Sequence, residues 1–170
     1  PDNHRGARVQ AVVASVAGVA LAWSAFAFWG PVIWRSSERG ITILADRLRE
    51  AGVTVETTLV AYDALGGVGR RELLADPSID YLHPEVQTRW RRLRGTAPRL
   101  RYTDFMQKLA RILHERGVTL VVGTDAMGYP LVTPGASLHR ELSLLVGSVL
   151  APADVIRAAT MEPAVLLRRS

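Results

Sequence analysis

From Val9 through Trp34 no side chain carries a charge, and the stretch is built mostly of Ala, Val, Leu, Phe and Trp. It exceeds the about 20 apolar residues that a helix needs to cross a bilayer core. Arg5 and Arg8 precede it, and Trp23, Trp29 and Trp34 gather toward its far end. Basic residues before and aromatics at one boundary form the pattern of an inserted helix whose N-terminus stays in the cytoplasm. Ala25-Phe26-Ala27 also offers a small-x-small cleavage site, which fits a signal peptide. The competing reading is a helix buried in protein, where Gly6, Gly18 and the alanines permit close packing. Gly30-Pro31 marks the boundary, because proline disfavours helix at the residue before it. The expected organisation is therefore a hydrophobic N-terminal helix over 1–34 and a second domain over 35–170. The chain is membrane-anchored or exported if 9–34 inserts, and cytoplasmic otherwise.

The whole chain has 170 residues, 48% hydrophobic and 22% charged, which excludes disorder and permits a sizeable core. It has no cysteine, which excludes disulfides, thiolate zinc sites, iron–sulfur clusters and a cysteine nucleophile. The net charge of +5 comes almost wholly from arginine, since Lys108 is the only lysine. Arg89, Arg91, Arg92, Arg94, Arg99 and Arg101 cluster around Trp90. They read as a solvated helix face or hinge, or else as a patch for phosphate or anionic lipid. No nucleic-acid motif accompanies them, so no nucleic-acid partner is expected.

Beyond residue 40 the pattern alternates. Ile41, Leu44, Ala45 and Leu48 recur at helical spacing and stop at Gly52. The β-branched run 53–60 predicts a strand. Residues 61–102 read as a long excursion with short helices, one of them over 84–93. Thr103 is a candidate cap for a helix carrying Phe105, Met106, Leu109, Ile112 and Leu113 on one face, ending at Gly117. The apolar run 118–123 predicts a strand covered on both sides in a parallel sheet. It opens into Thr124-Asp125 and the loop Ala126–Ala136. Ser137 is a candidate cap for the next helix, with Leu138, Leu142, Leu145 and Val146 inward. Pro152 starts another helix to about Thr160, and Glu162–Leu167 forms a last short one. This is α/β organisation.

Functional groups of parallel α/β sheets lie at the carboxyl ends of the strands, and Asp125 holds that position. A carboxylate there serves as a metal ligand or as a general base acting on water. The structural alternative is an Asp that caps its own loop.

The series 117–126 (Gly-Val-Thr-Leu-Val-Val-Gly-Thr-Asp-Ala), then Pro134-Gly135-Ala136-Ser137-Leu138-His139-Arg140-Glu141-Leu142, then Pro152 through Thr160 and Pro163-Ala164, resembles the end of the amidohydrolase superfamily. The nearest branch is the imidazolonepropionase-like and prolidase-like metal-dependent hydrolases. Residues 51–59 resemble the preceding strand of the same barrel. The resemblance implies that Asp125 ends the eighth strand, binds metal and takes the proton of the attacking water. It implies a fold that is a partial, truncated TIM-barrel-like β/α unit, because a complete barrel needs roughly 200 residues at least. His139, on the helix after the loop, either approaches the substrate or hydrogen-bonds the loop.

The family's first-strand His-x-His pair, its bridging lysine and the histidines of the fifth and sixth strands have no counterpart here. His4, His83, His114 and His139 match none of those motifs, and Ala151 stands where the family usually has a capping threonine. Catalytic zinc takes three protein ligands at about 2.0–2.2 Å, so one carboxylate does not hold it. A divalent metal, zinc first, requires His83 or His139 folded toward Asp125, or a second chain. Two strands also leave backbone edges unpaired, so self-association into a homo-oligomer is expected. Three functional readings follow. One is a metal-assisted hydrolase of amide, ester or phosphoester bonds in a small-molecule substrate. The second is metal-free hydrolysis by an Asp125–His139 pair. The third is a non-catalytic, membrane-associated or oligomerising remnant.

Overall fold

The computed structural model describes residues 38–67, 71–93, 102–126 and 129–168. The expected hydrophobic helix over 9–34 lies outside the described residues. The elements run α1 (Glu38–Glu50), β1 (Val55–Thr57), α2 (Leu59–Gly67), α3 (Arg71–Leu74), a 3-10 turn (Pro77–Tyr81), α4 (Pro84–Arg91), α5 (Tyr102–Glu115), β2 (Leu120–Val122), α6 (Ala136–Gly147) and α7 (Pro152–Arg168).

Two helix–glycine–strand units bring the strands together. α1 ends on Gly52 with φ 65°, and α5 ends on Gly117 with φ 76°. Only glycine enters that left-handed region without a Cβ penalty, so each is a sequence-coded stop. Just past each glycine the chain folds back: Val53 N donates to Leu48 O at 2.9 Å, and Val118 N to Leu113 O at 3.0 Å. Because α1 packs on α5, the two strands leave side by side and pair in parallel. The register is Val55 with Leu120, Glu56 with Val121 and Thr57 with Val122. On the surface, Arg116 Nε donates to Asp46 Oδ1 at 2.7 Å and Lys108 Nζ lies 3.1 Å from Glu38.

Two apolar clusters surround the sheet. Ile41 and Ala45 of α1 meet Met106, Ala110, Ile112 and Leu113 of α5, Leu145 of α6 and Val155 and Ala158 of α7. A second cluster joins Val60 and Ala64 of α2 to Ile79, Trp90, Leu131 and Val132. Trp90 is therefore a core residue, and Arg89, Arg91 and Arg92 beside it are exposed.

The expectation of a partial barrel unit is corrected. Among the described residues the chain is mostly helical, with one sheet of two parallel three-residue strands and no barrel. The run 53–60 yields only Val55–Thr57, because α2 begins one residue past the strand. The cause is tertiary: helix α6 supplies an acceptor to the Val60 amide in the first turn of α2 and overrides the strand preference of the β-branched Thr58 and Val60. The run 118–123 similarly shrinks to Leu120–Val122. The two expected C-terminal helices are one helix. Pro163 lies inside α7, and Arg157 Nε meets Glu162 Oε1 at 2.7 Å just before it. Neither expected cap acts as one: Thr103 Oγ1 donates to Asp63 Oδ1 at 2.9 Å, and α6 starts after Gly135 with no side-chain cap. Among the described residues no helix is long and apolar enough to cross a membrane.

Leu145 is 1% exposed at the meeting of α5, α6 and α7. Leu145→Ala is expected to cost about 2–5 kcal/mol of unfolding free energy in urea denaturation. A loss under about 1 kcal/mol would contradict this core assignment.

Candidate functional site

The parallel register sends both strand ends to the same edge of the sheet. Gly123 N donates to Thr57 O at 2.8 Å and extends the pairing one step past β2. The Glu56 side chain lies across this junction. A Cβ on Gly123 would sit 1.8 Å from Glu56 Oε1, so the missing side chain at 123 is what allows the carboxyl to cross the strand end. Two residues on, Asp125 takes φ 49°, in the left-handed region that Asp tolerates better than most side chains. In the same turn Ala126 N donates to Thr124 Oγ1 at 3.3 Å.

Around Asp125 the structure gathers groups that share its field. Burial pushes the Asp125 carboxyl above the ordinary aspartate range. Burial also raises Glu56, and the Asp125 charge raises it further. Tyr62 of α2 is pushed up to about 12 by burial, then by Tyr129 and Asp125. Tyr129 is raised by burial and by Asp125. All four shifts run toward the protonated form, so this edge disfavours additional negative charge beside Asp125.

Beneath this edge lies Glu141, with 0% of its surface exposed. Its Oε2 accepts from Val60 N at 2.7 Å, and its Oε1 has no hydrogen-bond partner. Burial pushes this carboxyl up, and Asp125 adds a smaller push in the same direction. The Val60 and Leu59 amides and the Thr57 hydroxyl oppose the rise. The preceding residue, Arg140, pairs with Asp63 of α2, which is 3% exposed.

The sequence-predicted residues separate. Asp125 sits in the cluster. His139 is exposed on the first turn of α6, and its carbonyl accepts from Ser143 Oγ at 2.9 Å. His83 is exposed and caps α4, its Nδ1 accepting from Glu85 N at 3.4 Å. The Asp125 charge contributes to the raised values of Glu56, Tyr62, Tyr129 and Glu141. Among the described residues no three His, Asp or Glu side chains are arranged to hold a metal ion. Of the arginine cluster, Arg91 pairs with Asp80 at 2.7 Å, while Arg89 and Arg92 join Pro84, Glu85 and Thr88 in an open cleft of about 430 Å³.

Glu56, Tyr62, Tyr129 and Glu141 escape a reading based on motifs. Glu141 had a signal: Ser137, Glu141 and Leu145 recur every four residues, and all three are buried. The inward face of α6 is this one, whereas Leu138 and Val146, expected inward, are exposed. Comparison of the chain with family models, curated proteins and solved structures finds no match, so the amidohydrolase resemblance rests on the residues quoted for it.

A carboxyl whose midpoint is raised by folding binds its proton more tightly in the native state than in the unfolded chain. Its stabilising contribution is full below the ordinary carboxylate range and is lost as pH rises through the native midpoint. Stability is expected to fall on going from about pH 4 to about pH 8, and Glu141→Gln, which keeps an acceptor without titrating, to flatten that fall. Urea denaturation across the range checks this. An identical slope in the variant would remove Glu141 as the cause.

Proposed function

We propose that the chain is a hydrolase that cleaves an amide, ester or phosphoester bond of a small-molecule substrate with water activated by Asp125. The observation that carries this reading is the placement of Glu56 and Asp125 at neighbouring parallel strand ends. There burial, and then the Asp125 charge, raise the Glu56 carboxyl toward its protonated form. Two carboxyls whose environments separate their ionisation supply a base and an acid in one site.

For an acyl substrate the steps balance as follows. The Asp125 carboxylate takes a proton from water as the water oxygen bonds to the carbonyl carbon. The carbonyl electron pair moves to oxygen, and the neutral phenols of Tyr62 and Tyr129 donate to that oxyanion. Collapse of the intermediate breaks the bond to the leaving nitrogen or oxygen, which receives the Glu56 proton. The proton on Asp125 then returns to Glu56 through water. Neither histidine is needed, and no step runs through a metal. The rate is expected to rise with pH as Asp125 ionises and to fall as Glu56 does, both in the raised carboxylate range.

A panel of chromogenic ester, lactam and phosphotriester substrates, with and without chelator, tests the reading. Asp125→Asn is expected to lower turnover by about 10²-fold or more while the circular dichroism spectrum stays native. Turnover should survive chelation. Full activity in Asp125→Asn would end the proposal in favour of a structural carboxyl cluster.

A further inference from the structure

We propose that one internal water molecule sits between the Ser137 hydroxyl and the Glu141 carboxyl, a hydration site built into the buried face of α6 and independent of the proposed hydrolysis. Among the described residues, two buried side-chain oxygens have no hydrogen-bond partner in the protein: Ser137 Oγ and Glu141 Oε1. Ser137 is 5% exposed and Glu141 0%. Both lie within α6, four positions apart, so they share one face with Cβ atoms about 5–6 Å apart. Buried oxygens without a partner are rare in folded proteins, and two that fall one above the other point to a shared third partner.

Helix geometry turns the carboxyl toward the hydroxyl. A helical side chain leans toward the N-terminus of its helix, so the long Glu141 side chain lies over the turn that carries Ser137. Its Oε2 accepts from Val60 N at 2.7 Å, which fixes the carboxyl and leaves Oε1 to be satisfied elsewhere. The Ser137 amide is already used, donating to Thr133 O at 2.9 Å, so it is the hydroxyl that needs a partner. The two oxygens do not bond each other, and a bridging water spans the distance between two side chains one helical turn apart.

Water is the occupant whose chemistry fits both groups. It donates to a carboxylate and accepts from a carboxylic acid, and the serine hydroxyl does either in return. Burial pushes Glu141 toward its protonated form, where a cation would find no charge to offset. Among the described residues no three His, Asp or Glu side chains are arranged to hold a metal ion. Two polar partners are the fewest that retain a buried water, so removing either oxygen releases it.

Oxygen-17 magnetic relaxation dispersion counts long-lived internal waters in the native full chain and does not read exchanging hydroxyl protons. Ser137→Ala is expected to lower that count by one. Glu141→Met, similar in length but apolar, is expected to lower it by one, and Glu141→Gln to leave it unchanged. In the double variant Ser137→Ala/Glu141→Met the count falls by one rather than two, because both oxygens hold the same molecule. An unchanged count in Ser137→Ala, or a loss of two in the double variant, would overturn the inference. If Glu141→Met does not fold, Ser137→Ala against wild type decides alone.

Thermal unfolding in sodium, potassium and choline chloride at equal ionic strength separates water from an ion. The same midpoint in all three salts is expected. A rise in sodium or potassium that Ser137→Ala abolishes would put a cation in the site and overturn the proposal.

Discussion

A carboxyl group with no surface exposed must find donors or destabilise the fold, and Glu141 finds them at the start of α2. That contact joins α6, which follows the last strand, to a helix that follows the first. The neighbouring Arg140–Asp63 pair repeats the link, and Asp63, 3% exposed, would be strongly unfavourable without it. The sheet is too short to define its own edge, since each strand contributes three residues. The relative position of the strand ends is instead set by helices locked together through these two polar contacts. The candidate site inherits its geometry from them.

The chemistry is placed by small features of the same edge. Glycine at 123 leaves room for Glu56 to cross the strand end, and the left-handed backbone at Asp125 turns the chain out of β2. Thr124 accepts from the Ala126 amide in the same turn. The phenols of Tyr62 and Tyr129 share the Asp125 field and remain donors. Each feature is modest alone, and their convergence on one carboxylate supports a general-base role.

What the sequence made legible is what depends on local signals. The helices ending at Gly52 and Gly117 follow from apolar spacing and a glycine stop, and Asp125 follows from its place after an apolar run. The failures share a cause. Leu59-Val60 reads as strand because nothing nearby announces that Glu141, far along the chain, will accept from the Val60 amide. The inward face of α6 is legible only in part: Leu145 is buried and Leu142 packs on the core, but a glutamate at a core position contradicts simple patterning. Glu56, Tyr62 and Tyr129 became part of a site only when the strands were paired. The histidines show the converse, for residue type made His83 a candidate and its place after the loop made His139 one, and the fold left both exposed.

The central claim is that Asp125 and Glu56 divide one acid and one base between them at the edge where the paired strands end. Carbon-detected NMR titration of both carboxyl groups in the native full chain tests it directly. The account predicts two resolved midpoints above the ordinary ranges, Asp125 ionising first and Glu56 later, with the second carbon sensing the first transition. Independent titrations in the ordinary aspartate and glutamate ranges, with no cross-sensing, would contradict it.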